Sequence, residues 1–203
     1  MSYLRADDIA LVEQRFGWPA KLETEIEMTS TELARVRRSQ YNGRAHDITL
    51  FIFNRDQLLF IAKHFYPKSL FRAPSGAANP GENIIDGAKR EAYEETGVEI
   101  ELEKYIARIR VRFINNRNSK DGINWTSHVF KAKYISGDID PKDKREIREA
   151  RYVDFAEIAK FNEIMRKVNI GGFRYRKFLT ERCMELLNDD IIAAIDTKSQ
   201  KAG

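Results

Sequence analysis

Apolar residues change their period several times along the chain, and each change marks an element. Residues 7–16 (DDIALVEQRF) repeat apolar positions at helical spacing and predict a short amphipathic helix, ended by Gly17-Trp18-Pro19. Thr29 and Glu32 form a capping-box pattern that opens a second helix, with Leu33 and Val36 on one face and an end near Tyr41-Asn42-Gly43. Two apolar runs follow, ITLFIF (48–53) and LLFIA (58–62), joined by a polar turn at 54–57. Lacking clean alternation, they predict strands covered on both faces. A loop rich in proline and glycine runs from Tyr66 to Gly81, and residues 83–96 then read as a helix stopped by Gly97.

Beyond Val98 the period falls to two. Tyr105, Ala107, Ile109, Val111 and Phe113 alternate with Lys104, Ile106, Arg108, Arg110 and Arg112, which predicts a strand with one apolar and one mostly basic face. The polar tip INNRNSKDG leads into INWTSHVFKAKYI (123–135), predicting a hairpin. A charged loop at 138–149, a short strand at 150–155, helices at 156–167 and 173–187 and a tail after Asp196 complete the pattern. No repeat or low-complexity tract interrupts it. The fold class is mixed α/β: an N-terminal helical extension (1–46), one domain (47–188) and a C-terminal tail (189–203). The two N-terminal helices are expected to cover the sheet, shape a pocket or mediate a dimer.

Composition narrows the function classes. Of 203 residues 42% are hydrophobic and 33% charged, an ordinary globular balance. Lys and Arg number 35 against 31 Asp and Glu, a net charge of +4 that suits an anionic substrate and is too weak to argue for nucleic acid without a clustered patch. The single cysteine, Cys183, excludes an intrachain disulfide or a cysteine zinc cage and points to a reduced, intracellular setting. The N-terminus lacks a continuous apolar core and the apolar runs are far too short to span a bilayer, so a soluble cytoplasmic protein with no membrane partner is expected. His46, His64 and His128 show no ligand spacing. P-loop, nucleophile-elbow and dinucleotide-binding patterns are absent from the sequence.

The candidate chemistry lies in GAANPGENIIDGAKREAYEETGV, residues 76–98. On a helix projection Ile84, Ile85, Ala88 and Ala92 form an apolar stripe, with Glu91 and Glu95 on its edge rather than on the solvated side. Together with Glu94 they bring like charges to facing positions, which costs a bare helix a few tenths of a kcal/mol per pair. A divalent cation removes that repulsion, and hard oxygen donors suit Mg2+ or Mn2+. The plainer alternative is a solvated charged helix capped by glycine.

The segment reads G-x5-E-x7-R-E-A-x-E-E-x-G-V and resembles the Nudix box, the signature of the Nudix hydrolases. With Gly and Glu each near roughly one residue in fifteen, seven fixed matches would arise by accident on the order of once in 10^8 placements. The order of elements from 47 to 187 is similar to that family's fold, a mixed sheet between helices in an α/β/α sandwich. The one departure is Pro74-Ser75-Gly76, where the family usually has Pro-Gly-Gly.

The resemblance implies cleavage of a nucleoside diphosphate linked to another moiety, by water attack on phosphorus. Carried over by position, Glu91, Glu94 and Glu95 would be metal ligands, with Glu91 or a nearby carboxylate as base. Arg90 would orient Glu91, Gly76 would offer its carbonyl, and Glu82 would brace the loop-helix junction. A further ligand comes from the loop before the late strand, where Glu146 is the first choice and Glu149 the second. Candidate substrate contacts are Arg108, Arg110 and Arg112 on one strand face and Trp125 on the hairpin partner. For the arginines an exposed strand face is the plainer reading. The alternative function is a nucleotide-sensing or RNA-binding regulator of the same fold without turnover, against which all three glutamates remain in place. Many family members are dimeric, so a homodimer is expected by analogy.

Overall fold

The computed structural model describes residues 4–40 and 43–201, with side chains to residue 195. Its centre is a mixed sheet built from β1 (Ala20–Met28), β2 (His46–Asn54), β3 (Gln57–Lys63), β4 (Ser75–Gly76), β5 (Glu99–Asn115), β6 (Asn118–Ser136) and β7 (Ile147–Asp154). The strands lie in the order β1-β5-β6-β2-β3-β7, with β4 paired to β2. β1 joins β5, and β2 joins β6, in parallel; the other neighbours are antiparallel.

Helices cover both faces of the sheet. On one, α2 (Ser30–Gln40), α4 (Phe155–Val168) and α5 (Gly171–Leu186) enclose a core that includes Leu33, Phe51, Phe60, Val111, Phe161 and Phe173. On the other, α1 (Ala6–Phe16) and α3 (Ile84–Thr96) enclose Val12, Ile48, Leu50, Ile61, Ala88 and Ala92. The two apolar runs are therefore central strands, as their unbroken hydrophobicity requires; β2 is buried from His46 to Phe53. The result is the three-layer α/β/α arrangement.

Local signals act where the sequence places them. Gly97 ends α3 in the left-handed region at φ +85°, and its N–H donates to the Tyr93 carbonyl at 2.8 Å. Thr29 and Glu32 exchange the capping-box bonds, Thr29 N–H to Glu32 Oε2 at 2.9 Å and Glu32 N–H to Thr29 Oγ1 at 3.3 Å. Glu32 also accepts the Gly171 N–H at 2.7 Å, so the cap of α2 doubles as an anchor for the first turn of α5.

Three expectations change. The N-terminal extension is not purely helical: AKLETEIEM forms β1, whose Leu22 and Ile26 pack on the core while its glutamates face away. Its strict two-residue alternation finds a partner in β5, where Leu22 pairs with Ile109, 87 residues on in sequence, and that pairing fixes it as a strand. In β5, register shifts lie between Leu102/Lys104 and between Tyr105/Ala107, so Tyr105 joins the α3-side core while Ala107, Ile109, Val111 and Phe113 join the other. Residues expected as a tail form α6 (Asn188–Lys201). Tyr41 and Asn42, at the expected end of the second helix, lie outside the described residues. No described helix is long and apolar enough to cross a membrane.

Candidate active site

Asn83 starts α3 by accepting the Asp86 N–H on its side chain at 2.9 Å, and the apolar stripe of the helix then turns Glu91 and Glu95 toward the loop that follows β3. That loop is clipped to the helix through alternate backbone groups. Ser75 N–H donates to Glu95 at 2.7 Å and Ala77 N–H to Glu91 at 3.0 Å. Gly76 lies between them in β4, and any Cβ there would overlap the Glu91 carboxylate. Glycine is needed here for close approach, not for an unusual φ.

Arg90 organises the outer carboxylates. Its guanidinium donates to both oxygens of Glu82 at 3.0 and 2.9 Å, to Glu91 at 2.9 Å and to Glu94 at 2.9 Å, and also to the Ala77 carbonyl at 2.7 Å. Glu82 in turn accepts the Asn79 N–H at 2.7 Å, which ties the loop to the helix start. Arg90 thus bonds Glu91, and Glu82 links Arg90 to the backbone ahead of the helix.

Glu95 is buried, at 4% exposure, and lies 3.8 Å from Lys63 Nζ and 3.7 Å from the buried Arg72. Lys63 also bonds Glu146, which brings the expected loop carboxylate to the same ammonium as Glu95. Glu149 stands opposite Ala62 on β7 instead. Burial pushes both members of the inner pair toward their uncharged forms. The Glu95 carboxyl is raised against the pull of Arg72 and Lys63, and the Lys63 ammonium is lowered to about 7 by burial and then by Arg72.

The donors fit a hard divalent cation in kind: all are oxygens, and the Gly76 cradle holds Glu91 where no side chain intrudes. In this arrangement protein cations answer the carboxylates, Arg90 for Glu91 and Glu94 and Lys63 with Arg72 for Glu95. Among the described residues no three acidic, histidine or cysteine side chains converge into a metal cage.

A cavity of about 390 Å3 opens beside this cluster, and Lys63 belongs to both. Its walls come from α2, β2, β6, the loop after β3 and α5, and include Trp125, Phe65, Arg35, Arg44 and Arg176. Arg176 is locked to Asp47 at 2.9 Å, to Thr49 at 3.0 Å and to Ser75 at 2.9 Å. Although burial alone would raise the Asp47 carboxyl, Arg176 and the Ser127 hydroxyl hold it below the ordinary range. Arg148 donates to the carbonyls of Tyr66 and Lys68, each at 3.0 Å, and so pins the loop that carries Phe65.

Trp125 is brought to this cavity, with Arg44 over its ring at 5.5 Å from the centroid. The arginine stripe is not. Arg108 pairs with Glu13 at 3.2 Å, Arg110 with Glu23 at 3.6 Å and Arg112 with Glu25 at 3.0 Å. A groove of about 650 Å3 between β1 and β6 is lined by Arg110 and Arg112 together with Glu23 and Glu25, so its charges balance, and no helix glutamate reaches it. Glutamates of β1 answer Arg110 and Arg112, and Glu13 of α1 answers Arg108. Sequence reasoning missed Lys63, Phe65, Arg35, Arg44, Arg72 and Arg176, which carry no spacing signal; the aromatic Phe65, just ahead of Pro67, was the one available hint.

The NUDIX domain family profile matches residues 43–169. Among curated proteins the chain is similar to "Nudix hydrolase 2" of Arabidopsis thaliana, 24% identical over 147 residues that cover 70% of this chain and 49% of that protein. It is also similar to the "Oxidized purine nucleoside triphosphate hydrolase" of Mus musculus, 27% identical over 106 residues, 52% of this chain and 64% of that one. The matches thus span from about half to just under two thirds of these relatives' length. Among solved structures, a NUDIX hydrolase from Nitrosomonas europaea shares the fold, with a TM-score of 0.55 and 21% identity over 72% of this chain and 90% of that one.

Proposed function

The chain belongs to the NUDIX domain family, and from that premise we propose that it is a divalent-cation-dependent pyrophosphohydrolase that cleaves a nucleoside diphosphate linked to another moiety. The observation that carries this reading is the clip between α3 and the 75–77 loop, in which Glu91 and Glu95 hold alternate backbone N–H groups around a glycine whose missing side chain leaves room for the Glu91 carboxylate.

In this reading Glu91, Glu94 and Glu95, with the Gly76 carbonyl and Glu146, would hold Mg2+ or Mn2+. When bound, that cation supplies charge neutralisation at phosphate oxygens and acidifies water. Arg90 keeps Glu91 oriented for metal or for proton abstraction from the attacking water, and Glu82 keeps Arg90 in place. Lys63 and Arg176, at the border between cluster and cavity, offset the charge on substrate phosphates. Trp125 and Phe65 wall the cavity that takes the nucleoside. The same proposal takes residues 1–46 as an extension that adds β1 to the sheet and α2 to the cavity wall, and includes a cytoplasmic homodimer, which light scattering would test.

One observation favours a second reading. The Lys63 ammonium stands against Glu95 and Glu146, as suits a nucleotide-binding regulator that needs no metal.

Chromatographic detection of the cleavage products (nucleoside monophosphate with its phosphorylated partner, or pyrophosphate) from ADP-ribose, NADH, dinucleoside polyphosphates, nucleotide sugars, nucleoside triphosphates and 5′-triphosphate RNA separates the two. Each is run with Mg2+, with Mn2+ and with chelator, beside Glu95→Gln. The enzyme reading expects metal-dependent turnover that the substitution abolishes. Nucleotide binding with no turnover of any substrate would leave the regulator.

A further inference from the structure

The cavity beside the glutamate cluster is walled partly by residues outside the span that matches the family. Arg35 lies on α2 and Arg176 on α5, before and after residues 43–169. Together with Arg44 and Lys63 they give the cavity four basic side chains; Lys63 is bonded to Glu146 and Arg176 to Asp47, which leaves Arg35 and Arg44 without an ion pair among the described residues. Asp47 is already satisfied by Arg176 and Ser127, so it adds no free acceptor to the cavity. Arg35 is exposed and forms no ion pair among the described residues. Phe65, at 76% exposure, is a large aromatic left in water on the same cavity's rim, on a loop that Arg148 holds in place. An immobilised aromatic beside clustered cations suits a ligand with a flat base and a heavily charged tail.

Resting on the hydrolase family reading for the position of the scissile phosphates, we infer that this cavity selects nucleoside 5′-triphosphates over nucleotide sugars and other pyrophosphate diesters. A triphosphate carries more charge on a compact tail than a pyrophosphate diester, and only the former uses the excess of cations. The neutral sugar of a diester would instead sit among arginines with no charge to meet. Arg35 is the selecting residue, because it is the exposed cation of this cavity and forms no ion pair among the described residues. Phe65 is the nucleoside platform, indifferent to the length of the phosphate chain.

Calorimetric titration in the presence of chelator, where turnover does not complicate binding, tests this on the intact chain. ATP and GTP are compared with ADP-ribose and UDP-glucose on the wild type, Arg35→Glu and Phe65→Ala. The wild type is expected to bind the triphosphates at least about tenfold more tightly than the diesters, a gap that narrows with added salt. Arg35→Glu is expected to weaken triphosphate binding about tenfold and diester binding about twofold or less. Phe65→Ala is expected to weaken both classes by a similar factor, about tenfold. Both side chains are exposed, so circular dichroism should show the fold unchanged. Equal or reversed preference in the wild type, or an Arg35→Glu protein that keeps its triphosphate affinity, would overturn the inference. Selective binding of triphosphates without hydrolysis when Mg2+ is restored would leave the inference standing and remove the enzyme.

Discussion

Arg90 holds more of the site than any single glutamate does, because its guanidinium meets Glu82, Glu91, Glu94 and the Ala77 carbonyl at once. Replacing it with methionine keeps the side-chain volume but leaves three carboxylates facing one another. Urea unfolding of Arg90→Met should show a loss of about 1–3 kcal/mol, and the rate of product formation should fall by at least about tenfold. Gly76→Ala tests the close approach directly: the new methyl displaces Glu91, so activity should be lost while stability falls by less than about 3 kcal/mol. Two buried histidines set the acid limit. Burial lowers His46 from 6.5 to about 4, and burial followed by His46 lowers His128 from 6.5 to about 3, where its Nδ1 meets the Tyr105 hydroxyl at 2.6 Å. Between these values and 6.5 the unfolded chain binds protons that the folded one does not, so stability rises with pH across that window. Cooling of the melting temperature as pH falls from 6.5 toward 4 checks this, and His128→Gln should flatten the slope.

Helices and central strands were legible because their signals are local. The glycine after α3, the capping box of α2 and the unbroken runs of β2 and β3 each depend on residues within one turn or one strand. β1 was not legible, although Lys21-Leu22-Glu23-Thr24-Glu25-Ile26-Glu27 alternates, because its partner β5 is remote in sequence and its outer face is as charged as a loop. The same remoteness hid the fate of the β5 arginines: Glu13, Glu23 and Glu25 neutralise them, and no local pattern announces those partners. The glutamate helix, by contrast, carries its whole arrangement in one segment, with Gly76, Glu82 and Arg90 at fixed spacing. Element packing yields its own test. Glu32 serves both the α2 cap and the Gly171 N–H, so Glu32→Ala should cost about 1–2 kcal/mol in urea unfolding, more than an ordinary exposed glutamate.

At the scale of the molecule, the glutamate cluster lies at one end of the sheet, where the end of β3, the start of β2, β4 and the loop before β7 meet. The cavity beside it draws on segments from both ends of the described chain, Met28 to Ser39 before the matched span and Gly172 to Arg176 after it. In the proposed reading the shared fold positions the chemistry while the flanking segments shape what enters. Hydrolysis at phosphorus on this helix is the central claim. Turnover in 18O-labelled water, with mass spectrometry of the products from wild type and Glu95→Gln, tests it most directly. The account predicts one label in a phosphoryl product of the wild type and no product from the variant. Label appearing on carbon instead, or unchanged turnover in Glu95→Gln, would contradict it.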